Sequence, residues 1–112
     1  MSDTNRNREI AETIALQLGG LRRLGVMVDL KFAEVVPNGL AFRFKARAAK
    51  RINHIAIKLE PSDTYTVEFW SVRAGACRKV SEYSDVYADS LRRIIESETG
   101  LYLSLGTLGA VG

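Results

Sequence analysis

Two hydrophobic periods follow one another along the chain. From Arg8 to Gln17 the apolar positions Ile10, Ala11, Ile14 and Ala15, with Leu18 after them, recur at three- and four-residue steps, which places them on one face of a helix. Gly19-Gly20 stops that helix, because glycine accepts the left-handed conformation of a C-terminal cap. Beyond Leu21-Arg22-Arg23 the step shortens to two. Val26, Val28, Leu30 and Phe32 alternate with Met27, Asp29 and Lys31, the pattern of a strand with one buried face. Pro37-Asn38-Gly39 predicts a tight hairpin, with Asn-Gly supplying the positive dihedrals and the next strand opening at Leu40. There Leu40, Phe42 and Phe44 face one way and Ala41, Arg43 and Lys45 the other.

Residues Ala46–Asn53 have neither period and read as an exposed basic loop. In His54–Glu60, Ile55, Ile57 and Leu59 share a face; Pro61-Ser62-Asp63 is a turn; in Thr64–Arg73, Tyr65, Val67 and Phe69 alternate with Thr66, Glu68 and Trp70. Ala74-Gly75 is a further turn and Ala76–Val80 a fifth strand. Ser84 or Asp85 is positioned to cap a last helix whose buried stripe is Tyr87, Ala88, Leu91, Ile94 and Ile95, ended by Gly100. Leu101, Leu103 and Leu105 then form a short extended tail suited to docking on the core. Helix, hairpin-linked strands, helix predicts an α+β fold: an antiparallel sheet of four to five strands with an N-terminal and a C-terminal helix packed on one face. No repeat or linker divides residues 1–112, so they read as a single domain, with 1–7 and 106–112 flexible.

A chain of 112 residues buries roughly 60–70% of its unfolded surface on folding, enough for a core without a metal or disulfide staple. The apolar runs fall far short of the ~20 residues that span a bilayer. A polar N-terminus without a secretory apolar region and a lone cysteine, Cys77, predict a cytoplasmic protein with no membrane partner. The net charge of +3 says little, but its distribution says more. From Val35 to Leu59 there is no acidic residue, whereas Arg43, Lys45, Arg47, Lys50, Arg51 and Lys58 all fall there.

Catalytic chemistry is thinly supplied. The single histidine, His54, opens a strand and reads as a surface or turn residue; Cys77 lacks a Cys-x-x-Cys partner and reads as a small packing residue. One cysteine and one histidine cannot build a usual zinc site, and Asp85 with Asp89 is explained by the start of a helix. The sequence therefore predicts no catalytic residue, no metal, no cofactor and no enzyme activity. What remains is the basic segment. Arg43, Lys45, Arg47, Lys50, Arg51 and Lys58 are candidate contacts to a phosphate backbone, with Trp70 on a neighbouring strand as a stacking surface. Against this stands the plainer reading of solvated charges that keep the sheet soluble. The alternative function is a protein-interaction module, a homo-oligomer or an inhibitor of a host factor, using Trp70, Tyr102 and Leu103.

The segments Glu12-Thr-Ile-Ala-Leu-Gln-Leu-Gly-Gly20, Gly39-Leu-Ala-Phe-Arg-Phe44, Tyr65-Thr-Val-Glu-Phe69, Asp85-Val-Tyr-Ala-Asp89 and Thr99-Gly-Leu-Tyr-Leu-Ser-Leu105 together resemble a group of small phage- and prophage-encoded proteins. Two stretches depart from that pattern. Leu24-Gly-Val-Met-Val-Asp-Leu-Lys31 stands where the group has a more glycine-containing strand, and the middle loop is richer in arginine. The resemblance implies a mobile-element context, a location in the host cytoplasm and partners among nucleic acid, nucleoprotein or host and phage proteins. It implies no catalytic residue.

Overall fold

The apolar strand faces marked by Leu40, Phe42 and Phe44, by Ile55 and Ile57, and by Tyr65, Val67 and Phe69 share one core with two helices. The computed structural model describes residues 2–20, 30–45 and 48–100. In chain order the elements are α1 (Ser2–Gln17), β1 (Leu30–Val36), β2 (Gly39–Phe44), a 3-10 turn (Ala49–Arg51), β3 (His54–Leu59), β4 (Tyr65–Arg73), β5 (Ala76–Val86) and α2 (Ala88–Thr99). The five strands form one antiparallel meander in the order β1-β2-β3-β4-β5. Ile14 of α1, Leu18 just after it, and Leu91 and Ile95 of α2 share one buried cluster with Phe42, Phe44, Ile55, Ile57, Val67 and Phe69 of the sheet. Burying a side chain of this size stabilises the fold by roughly 1.5–3 kcal/mol. The fold is α+β, with both helices on one face, as the hydrophobic pattern predicts.

Several boundaries differ from the sequence reading, each for an identifiable reason. Helix α1 starts at Ser2, ahead of the periodic residues, and Asn7 Oδ1 accepts a hydrogen bond from Asn38 N at 2.9 Å, tying the helix to the β1–β2 turn. Val26–Asp29 lie outside the described residues, as do Arg47 and the tail with Tyr102 and Leu103. In the β1–β2 hairpin the corner residues are Pro37 and Asn38, with Asn38 at φ 60, and Gly39 already pairs with Val36. Gly39 is needed for another reason: a Cβ there would lie 1.9 Å from the Ile57 carbonyl oxygen of β3. The β4–β5 turn does follow the expected chemistry, with Ala74 and Gly75 both at positive φ.

Strand β5 is longer than its alternation suggests because two register shifts interrupt it, between Tyr65 and Val67 and between Phe69 and Trp70 of its partner. Each inserts an extra residue in β5 and changes which face the following side chains take. Ser81, Tyr83 and Val86 thus lie opposite Phe69, Val67 and Tyr65, on the helix side. This overturns the expected start of the last helix. Ser84 and Asp85 belong to the strand, Asp85 at φ 56, and the helix is preceded by Tyr87 with no side-chain cap. Asp85 and Asp89 therefore do not share a helical face. The buried stripe of α2 is Leu91, Ile95, Glu98 and Thr99, with Ile94 half-buried, whereas Tyr87 and Ala88 are exposed. Gly100, left-handed at φ 77, ends the helix as expected, its N–H bonded to Glu96 O.

A candidate anion-binding cleft at one end of the sheet

At the end of the sheet where β2 finishes, β3 begins and β4 turns into β5 lies an open cleft of about 940 Å³. Three segments supply its cations: Arg43 and Lys45 from β2 and the residue after it, Lys50 and Arg51 from the 3-10 turn, and Arg73 from the end of β4. Among the described residues no carboxylate lines it, and Phe44, Ile52 and Val72 form its apolar part. Asn53 holds the segments together. Its main-chain N–H donates to Trp70 O at 3.0 Å and its carbonyl accepts from Phe44 N at 3.1 Å. Its side-chain amide donates to Val72 O and accepts from Val72 N, both at 2.9 Å, so it acts as an extra ladder rung. Lys45, Arg51 and Arg73 are exposed.

Lys50 has a different environment from the one its sequence neighbours suggest. Its ammonium donates to Glu98 Oε2 at 2.9 Å, and the same carboxylate accepts from Ser81 Oγ at 2.7 Å and Tyr83 OH at 2.6 Å. The Glu98 side chain is only 7% exposed. The Tyr83 and Lys50 hydrogen bonds outweigh its burial and lower its pKa to about 2, and the partners respond in turn: the bonds to Glu98 raise both Lys50 and Tyr83 above their ordinary values. An acid-free stretch of sequence is thus neutralised at one point by a residue 48 positions away.

The open face of the sheet is electrically mixed. His54, half-buried, lies between Arg43 and Trp70 in register, and burial first, then the Arg43 charge, lowers its pKa. Trp70 is half-buried and its indole N–H donates to Glu68 Oε1 at 3.2 Å, while Lys79 Nζ sits 5.6 Å from the ring centroid. Lys79 also pairs with Glu82 at 2.6 Å and Glu68 at 3.8 Å. Trp70 is therefore outside the cleft and already engaged. Lys58 is exposed and faces Gly39 and Thr66. It is four residues along β3 from His54, roughly 13 Å at strand spacing. Of the sequence candidates, Arg43, Lys45, Lys50 and Arg51 come together and Lys58 and Trp70 do not. Arg73 was missed, although the Ala74-Gly75 turn beside it marks the sheet end where it lies. Cys77, expected to pack, is exposed, because it occupies the outer strand opposite Val72.

Among the described residues no group of histidine, cysteine and carboxylate side chains could hold a metal ion, and no helix is long and apolar enough to cross a membrane. The structure thus defines an antiparallel meander capped by two helices, with a cationic cleft at one sheet end. The chain matches no family model, no curated protein and no solved structure.

Proposed function

We propose that this protein is a non-catalytic binding module that engages the phosphates of nucleic acid, free or within a nucleoprotein complex, through the cleft at the end of its sheet. The observation that carries this reading is the meeting of five cationic side chains from three segments in one cleft, Lys50 among them paired with Glu98 outside it, with no carboxylate among the described lining residues. The concave shape favours a single strand or a strand end over a duplex. Duplex phosphates run as a long convex track, whereas the sheet face beyond the cleft mixes Glu68 and Glu82 with Lys79. The cleft volume falls in the range of roughly 300–1,000 Å³ that takes small ligands. Phe44 is 2% exposed, so the cleft offers phosphate contact without an aromatic stacking surface. An accessory role in phage DNA metabolism or host takeover, which rests on the resemblance to phage-encoded proteins, belongs to the same proposal.

Salt titration of oligonucleotide binding tests it. If Lys45, Arg51 and Arg73 each neutralise one phosphate, single-strand affinity falls roughly 20-fold between about 50 and 200 mM salt. Charge reversal at these three positions abolishes retention at low salt. Unchanged retention rules out the cleft as the contact.

A second reading, a protein-interaction module, is supported by Leu16 and Tyr87, which are 74% and 64% exposed. Their chain neighbours Gln17 and Ala88 line one groove between the helices. A solution mass that stays at 12.4 kDa at every concentration removes the homo-oligomer form of this reading.

A further inference from the structure

We propose that Glu98 is a positioning residue for the cleft: by holding the Lys50 ammonium it keeps the Ala49–Arg51 turn in the conformation that presents Arg51 to a phosphate. This rests on the cleft being the binding site. The turn needs such a tether. Lys50 and Arg51 are consecutive and both left-handed, at φ 58 and 61, a region that residues with a Cβ avoid. Conformations of this kind persist where surrounding contacts over-determine them. On the C-terminal side those contacts are the Ile52 N to Ala49 O bond at 3.1 Å, the buried Ile52 side chain and the Asn53 rung. For the two left-handed residues themselves, the side-chain bond to the described residues is that of Lys50 to Glu98.

The two ends of that bond are unequal. Lys50 is 58% exposed and Glu98 7%, and Glu98 is also gripped by Ser81 and Tyr83 from β5. The carboxylate is therefore the fixed post and Lys50 the movable end. Glu98 lies outside the cleft lining, so it acts on a ligand only through the turn.

Positioning and bare electrostatics predict opposite signs. Glu98→Gln removes a negative charge near the cleft and leaves Lys50 without its counter-ion, so charge alone tightens binding of an anion. Loss of positioning weakens it. The expected result, for a fluorescent oligothymidylate at low salt, is a loss of roughly 2- to 30-fold, the range found for residues that act on a site from outside it. Lys50→Arg, which keeps the charge pair, restores near-normal binding. Lys50→Met weakens it, and Glu98→Gln added to Lys50→Met costs nothing more, the coupling expected of groups acting as one unit. Ile14→Val, at a buried position of α1, lowers stability and leaves affinity nearly unchanged, which separates positioning from a purely structural role.

A folded Glu98→Gln protein that binds as tightly as the parent, or tighter, overturns the inference. If at the same time Arg51→Glu and Arg73→Glu weaken binding, the cleft reading survives; if they do not, that reading fails as well. Should Glu98→Gln fail to fold, Lys50→Met decides the matter, since it alters an exposed side chain. It must speed hydrogen exchange of the Ile52 amide by roughly tenfold or more, and unchanged protection overturns the inference.

Discussion

Single residues with two demands on them give the sharpest expectations. Gly39 starts a strand, yet a side chain there would run into the Ile57 carbonyl of the neighbouring strand. Gly39→Ala therefore forces β2 and β3 apart and destabilises by roughly 1–3 kcal/mol, the usual cost of overpacking, visible as a lower urea midpoint. Glu98 gives a pH expectation. Its folded carboxyl pKa is lowered to about 2 from 4.5, so its contribution to stability is complete above the ordinary carboxyl range and disappears as pH falls from about 4.5 toward 2. Urea midpoints measured across that interval fall with acid in the parent protein, and more gently in Glu98→Gln. Equal slopes in the two proteins mean that the carboxylate is not held as the hydrogen bonds indicate. Helical spacing from Leu91, Ile94 and Ile95 puts Glu98 on the buried face, but its partners were not visible locally: Ser81 and Tyr83 come from β5 and Lys50 from the 3-10 turn.

At the level of elements, β5 explains where hydrophobic periodicity misleads. A period-2 reading holds only while pairing is regular, and two extra residues reset it, carrying Ser81, Tyr83 and Val86 to the helix side. The same shifts twist an edge strand and discourage pairing with another chain. The displaced helix start has a measurable consequence. Ile95, 1% exposed and buried in both readings, is the reference, with Ile95→Ala expected to lose about 2–5 kcal/mol. Tyr87, assigned to the buried stripe from its spacing, is 64% exposed, and Tyr87→Ala is expected to stay within about 0.5 kcal/mol. Chemical denaturation of the two variants distinguishes the observed helix from the one the spacing suggests; comparable losses contradict it. In α1 and in β2 through β4 no extra residue intervenes, and the stripe Ala11, Ile14, Ala15 and Leu18 and the faces of Phe42, Ile55 and Val67 are buried as their spacing predicts.

For the whole molecule, the placement of charge matters more than its sum. Six cations in an acid-free run suggest a basic stripe across the sheet. Folding instead gathers Arg43, Lys45, Lys50 and Arg51 at one end, adds Arg73, and leaves Lys58 near the other end of β3. A sheet-face contact and an end-cleft contact are therefore separable. Charge reversal at Lys58 and the Trp70→Phe change are expected to leave oligonucleotide affinity within about twofold, whereas Arg51→Glu and Arg73→Glu each weaken it roughly tenfold or more at low salt, as the loss of a phosphate contact requires. The opposite ranking in a binding titration moves the site to the sheet face.

Sequence alone determined the α+β class, the two glycine stops at Gly19-Gly20 and Gly100, and the apolar faces of α1 and the central strands, because each depends on spacing along a few consecutive residues. It also marked the basic segment. Only the tertiary structure decided which cations meet, that Arg73 joins them, that Trp70 is engaged by Glu68 and Lys79, and that Glu98 anchors Lys50. Apart from the Trp70–Glu68 bond, which joins neighbours on one strand face, these are contacts between separate elements, set by strand register and by the two shifts in β5, and local periodicity carries no information about either.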